Sequence, residues 1–153
     1  MRLKDFMNTD VETVRSETSA EEAWERMRAR DIRHLVVARG GTVLGVVSDR
    51  DLGGRRGAAL RRGKTVADVM TTAPVTARPE TTLRQAANLM RGRSVGCLPV
   101  VGEDGRLQGI VTITDILDVV GRGSFKPNES EPGNKKRKAR NAPPRLGSPP
   151  GRR

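Results

Sequence analysis

Histidine, cysteine and aromatic residues are nearly missing from this 153-residue chain, which has one His, one Cys, one Trp, two Phe and no Tyr. A single cysteine, Cys97, excludes an intramolecular disulfide and a cysteine-based zinc site. A single histidine, His34, argues against a histidine-cluster metal centre, and the carboxylates lack the clustering that would replace one. No nucleophile–base pair and no Gly-rich phosphate loop is suggested by spacing, so the chain does not read as an enzyme. Long apolar runs are lacking too: no window approaches the ~18 residues needed to span a bilayer. The opening "MRLKDFMN" leads into no apolar signal segment. The expectation is a reduced, cytoplasmic protein with no membrane association, no metal and no resident cofactor. With hydrophobic residues at 35% and so few rings, its core must be aliphatic.

The net charge of +11 is unevenly distributed. Residues 124–153 hold nine Lys/Arg against two Glu, a charge of +7, which leaves +4 for residues 1–123. The same tail carries six of the nine prolines and almost no apolar residue. Such a segment cannot offset its ordering entropy by burial, so it is expected to be disordered.

What the sequence does contain is a repeat. Sliding the chain on itself by 63 residues aligns 3–38 with 66–101 without a gap, and 13 of those 36 pairs are identical, where chance gives about two. One extra residue in the turn "VGEDGRL" moves the offset to 64, after which "GVVSDRDL" at 45–52 meets "GIVTITDI" at 109–116. Each half has the same order of signals. The pairs Ser19/Glu22 and Thr82/Gln85 form capping boxes. Behind them, Ala20, Ala23, Trp24, Met27 and Leu83, Ala86, Ala87, Met90 fall on one helical face. Two β-rich runs joined by short turns follow, "HLVVA" and "TVLGVV", then "CLPVV" and "RLQGIV". A shorter extended run, around 12–14 and 75–77, precedes each long helix, and a further helix starts after each octet. The fold class is α/β, two β-α-β-β-α units. At about 60 residues, one half would be marginal alone, so the halves should pack together.

The octets admit two readings. Ser48/Asp51 and Thr112/Asp115 are themselves capping boxes, so strand, cap and helix account for the pattern without a ligand. Yet the motif recurs at a strand-to-helix turn, where backbone N–H groups and the positive helix end favour an anion. Asp51 and Asp115 are short carboxylates able to accept two hydrogen bonds, as a ribose diol offers. Arg50 and Thr114, immediately before them, are within reach of a phosphate. After Asp51, Gly53 and Gly54 stand where a helix interior is expected, each costing about 1 kcal/mol against alanine. That helix should start late or be loose. Arg55, Arg56, Arg61, Arg62 and Lys64, which follow, are expected on a solvated face, from which one could reach a phosphate.

The chain resembles the CBS-domain pair, or Bateman module, over residues 3 to about 120. The resemblance rests on "KDFM" and "ADVM" opening each unit, "IRHLVV" and "VGCLPVV" on the second strand, and the two octets. It implies tandem CBS repeats at 1–60 and 61–123 packed as a pseudo-two-fold pair, followed by the tail at 124–153. It also implies a regulatory sensor of adenosine-containing ligands, AMP, ADP, ATP or S-adenosylmethionine, with no catalytic role. Carried over, Ser48, Asp51, Thr112 and Asp115 hold ribose, while Arg50, His34 and Thr114 approach phosphate and Cys97 lines the second cleft. Val11 and Val75 mark the neighbourhoods that hold adenine. His34, Arg33 and Arg50 make the first repeat the better match for a polyphosphate, while Cys97, Gly96 and Thr114 suit the second to a mononucleotide or to no ligand. The resemblance further implies a homodimer acting on a separate regulated protein. Two alternatives stand beside this: a ligand-free dimerisation module, and salt-sensitive nucleic-acid contact through Lys135, Lys136, Arg137, Lys138 and Arg140.

Overall fold

The structure, a computed structural model, describes residues 1–122. The basic tail, including Lys135, Lys136, Arg137, Lys138 and Arg140, lies outside the described residues. Two hairpins dominate. In the first repeat, β2 (His34–Arg39) pairs antiparallel with β3 (Thr42–Ser48), and β1 (Thr13–Val14) adds in parallel to β2. In the second, β5 (Cys97–Val101) pairs antiparallel with β6 (Leu107–Thr112), and Ala77 bridges in parallel to Val100. The extended run expected around 75–77 is thus reduced to a single bridge. Both hairpins shift register at equivalent places, between Val37 and Ala38 and between Val100 and Val101. The duplication extends to such irregularities.

Helices α1 (Ala20–Arg30) and α4 (Leu83–Arg93) begin where the capping signals stand. Thr82 and Gln85 exchange side-chain-to-backbone bonds in both directions, at 3.1 and 2.9 Å. Ser19 accepts from the Glu22 N–H at 3.1 Å, but the Glu22 carboxylate turns to Arg26 at 2.9 Å instead of returning. The first box is therefore only half formed, because an i,i+4 cation competes for the acid.

The opening segments cross between repeats. Leu3, fully buried, packs with Ala86, Leu98 and Val111 of the second repeat, and Phe6 and Met7 join that cluster. Val66, fully buried at the start of the short helix α3 (Val66–Val69), packs with Trp24, Leu35 and Val47 of the first, accompanied by Val69 and Met70. Asp5 and Asp68 close the two opening turns in the same way, each accepting at 2.8 Å from a backbone N–H, of Arg2 and Thr65 respectively. The strands that follow obey the same exchange. Segment β4 (Thr71–Thr72) pairs antiparallel with Gly45 and Val46 of β3, while Asn8 bridges Ile110 of β6. The octets' first glycines make room for this. A Cβ on Gly45 would lie 2.6 Å from the Thr71 carbonyl oxygen, and one on Gly109 would lie 2.8 Å from the Met7 sulfur.

The two sheets meet through Val36, Cys97 and Ile110, with Val43, Val46 and Leu107 packed around them. Thr42 bridges Arg106, its own equivalent 64 positions on. A residue can pair with its own duplicate only where the local two-fold relation between the units passes.

After the first octet the chain departs from its duplicate. The second octet leads straight into α5 (Ile113–Gly121). In the first, Gly53 and Gly54 take left-handed φ values of 82° and 64°, and helix α2 is delayed to Ala58–Arg61. Arg61 corrects the expectation of a solvated linker. Its side chain is 3% exposed, pairs with Glu21 at 2.8 Å, and donates to the Leu52 and Gly54 carbonyls at 2.8 Å each. It replaces, with hydrogen bonds to the turn, the support that a continuous helix would have supplied.

Candidate functional site

Each octet forms a closed local ring before any ligand is considered. The Ser48 N–H donates to Asp51 Oδ2 at 2.9 Å, and the Asp51 N–H donates to Ser48 Oγ at 3.0 Å. Thr112 and Asp115 repeat this at 2.8 and 3.3 Å. The ring satisfies two backbone donors at the turn and occupies one carboxylate oxygen. The second carboxylate oxygen and the hydroxyl proton of each octet take no part in the ring. Further bonds pin the octets to the start of the neighbouring strand. Asp49 N–H donates to the Arg33 carbonyl at 2.9 Å, and Ile113 N–H to the Gly96 carbonyl at 3.1 Å.

Each octet borders a cleft. One, of about 380 Å³, brings together Thr112, Thr114, Asp115, Val11, Ile32 and His34. The other, of about 810 Å³, brings together Ser48, Arg50, Asp51, Val75, Val95 and Cys97. Every ligand-binding candidate named from the sequence lines at least one of these two cavities. The grouping differs from the expectation by repeat, however. Cys97, expected in the second octet's cleft, lines the first octet's instead, and Arg33 and His34, expected in the first, are shared; Val11 joins the second octet and Val75 the first, because the segments that carry them have crossed. Arg33, His34 and Thr114 line both cavities.

His34 stands opposite Ser48 across the β2–β3 ladder. Its Nε2 would be 3.2 Å from a Cβ on Gly96, so the missing side chain there leaves space for the imidazole. Burial holds His34 below its ordinary pKa, opposed by Asp49 and Asp51 and assisted by Arg33. Cys97, buried opposite Thr112, is pushed up to about 11 by burial and then by the nearby Asp51. A thiol at that value stays protonated and unreactive at neutral pH. Among the described residues, no group of three or more His, Cys, Asp and Glu side chains is placed to hold a metal ion. Among them, too, no helix is long and apolar enough to cross a membrane.

Several cleft residues went unnoticed in the sequence: Asp10, Glu12 and Asp31 in the smaller cleft, Arg91 and Arg93 in the larger. Nothing local marks them. They reach a cleft only through contact with the other repeat's octet.

The fold and its two inter-repeat clefts define a tandem-repeat module with one cleft at each octet. The CBS domain matches residues 3–52 and 66–122, and the chain belongs to the CBS-domain family. It is 34% identical over 115 residues to the CBS domain-containing protein YhcV of Bacillus subtilis, covering 74% of this chain and 81% of that one. It is 38% identical over 116 residues to an inosine-5'-monophosphate dehydrogenase of Korarchaeum cryptofilum, covering 76% of this chain. The matched region spans 24% of that dehydrogenase. Among solved structures, the CBS-pair protein CBSX2, from Arabidopsis thaliana, has been determined in complex with AMP. It matches with a TM-score of 0.70 and 32% identity, over 79% of this chain and 96% of that one. The CBS pair of MJ0100, in complex with 5'-methylthioadenosine and S-adenosyl-L-methionine, matches with a TM-score of 0.72 and 27% identity, over 79% and 96%.

Proposed function

We propose that the chain is a cytoplasmic regulatory module that binds adenosine-containing ligands in its two inter-repeat clefts and modulates a partner protein. The observation that carries this reading is the placement of the two hydroxyl–aspartate rings. Each lies at the wall of a cavity, beside an apolar neighbourhood supplied by the other repeat. Ser48, Asp51, Thr112 and Asp115 bind ribose, Val11 and Val75 flank the base, and Arg50, His34 and Thr114 face the 5' substituent. The AMP complex of CBSX2 and the adenosyl complexes of MJ0100 support the ligand class. A ligand bound between the repeats shifts the partner only through different affinities for two arrangements of the pair. Calorimetric titration with AMP, ADP, ATP and S-adenosylmethionine, repeated on Asp51→Ala and Asp115→Ala, tests the reading. Binding lost with either aspartate in a folded variant supports it. Silence across the panel in folded protein overturns it.

A homodimer is supported by a separate observation. On α5, Ile113, Leu117 and Val120 are 47%, 63% and 61% exposed, and their i, i+4, i+7 spacing puts them on one face. A second copy presenting the same face would cover it. Leu117→Glu should convert a dimer to a monomer in sedimentation analysis; an unchanged mass excludes this face.

A further inference from the structure

The two clefts are copies of one geometry, so differences in charge at equivalent positions report directly on what each can hold. In the cleft of the second octet stand Asp10, Glu12 and Asp31. Their equivalents in the other cleft, 63 residues on, are Ala73, Val75 and Ser94, all neutral. The octets differ in the opposite sense: Arg50 borders the first cleft where Thr114 borders the second. These four differences act in one direction; a fifth, Arg33 where the other cleft has Gly96, opposes them, though Arg33 also lines the Ser48–Asp51 cleft. The Ser48–Asp51 cleft is lined by four arginines, Arg33, Arg50, Arg91 and Arg93, against two aspartates, for a formal charge of +2. The Thr112–Asp115 cleft is lined by Arg30 and Arg33 against four carboxylates, for a formal charge of −2. Part of that acidity is answered within the chain, since Glu12 pairs with Arg30 at 3.4 Å. Clefts lined by one sign of charge concentrate that field at their mouths.

We infer that the two clefts sort adenosine ligands by the charge of the 5' substituent. The Ser48–Asp51 cleft takes an adenosine polyphosphate, and the Thr112–Asp115 cleft takes an adenosyl ligand whose 5' group is neutral or cationic, such as a sulfonium. This rests on the adenosine-ligand reading above and adds the class that each site accepts. The volumes agree with the assignment, because the larger cleft is the basic one. The arrangement lets one module report two chemical pools, a phosphorylated adenosine and an adenosyl sulfonium, at once.

The test uses the full chain with ATP and S-adenosylmethionine as separate probes. Asp51→Asn should abolish ATP binding and spare S-adenosylmethionine, and Asp115→Asn should do the reverse. Two exposed substitutions then address charge directly. Asp10→Asn should weaken S-adenosylmethionine about threefold, and Ala73→Asp should weaken ATP by a similar factor, the size expected of one partly screened surface charge. A swapped assignment, or equal loss of both probes from either aspartate variant, overturns the sorting while leaving the adenosine reading intact. Failure of both probes, together with AMP and ADP, in folded wild-type protein overturns that reading and this one with it.

Discussion

The Arg61 guanidinium lies over the Trp24 indole, its central carbon 4.5 Å from the ring centroid. The same group pairs with Glu21 and takes the carbonyls of Leu52 and Gly54, so helix α1, the turn after the first octet and α2 converge on one side chain. Arg61→Met keeps the bulk and removes every polar contact, leaving the buried Leu52 carbonyl unpaired. The expected loss is about 2 kcal/mol, read as a lower urea midpoint at unchanged slope. Arg61→Lys should recover little, because one ammonium cannot serve Glu21 and two carbonyls while stacked on a ring.

Gly45 and Gly109 occupy equivalent positions but should not be equally sensitive. A Cβ at 45 meets a backbone carbonyl at 2.6 Å, whereas one at 109 meets a flexible methionine sulfur at 2.8 Å and the Asn8 carbonyl at 3.0 Å. Gly45→Ala should destabilise by about 2–3 kcal/mol, the upper part of the range for overpacking. Gly109→Ala should cost less, and parallel denaturation curves for the two variants check the order.

His34 gives the fold a pH dependence with a definite sign. Its pKa is lowered in the folded protein by burial, while the unfolded chain binds the proton at the ordinary value of about 6.5. The unfolded state therefore holds more protons through that window, and stability rises with pH across it. On acidification below about pH 6.5, stability falls down to the folded-state pKa. His34→Gln should flatten this part of the profile, measured as denaturation midpoints between pH 5 and pH 7.5. An unaltered slope would mean that another group carries the dependence.

The hydroxyls of the octets separate stability from ligand binding. Thr112 caps the nine-residue helix α5, so Thr112→Ala should cost about 1 kcal/mol. Ser48 caps only a turn that Gly53 and Gly54 interrupt, and Ser48→Ala should cost less. If both hydroxyls bind ribose, the two variants lose affinity to a comparable extent despite unequal losses of stability. Affinity losses that merely follow stability would leave the hydroxyls as caps alone.

Much of the architecture was legible because its signals are local. Ser19, Thr82, Ser48 and Thr112 each bond a backbone N–H three residues on, and that spacing alone fixes where each turn begins. The paired strand runs and their turns were readable for the same reason. Arg61 was not, since a cation among other cations near two glycines gives no sign that an indole and a carboxylate lie 37 and 40 positions back. The half-formed box at Ser19 was missed because Arg26 competes for Glu22 from the next helical turn.

The sequence by itself determined the duplication, the two hydroxyl–aspartate rings and the aliphatic character of the core. These follow from composition and from contacts within four residues, which folding elsewhere hardly alters. Only the tertiary structure decided which residues share a cleft. Leu3 buries itself in the second repeat and Val66 in the first, and so Val11 faces Thr112 and Asp115 while Val75 faces Ser48 and Asp51. That exchange joins residues from opposite ends of the described chain. It is set by which apolar surfaces are left for each opening segment to cover, a property of the packed pair that neither repeat carries alone.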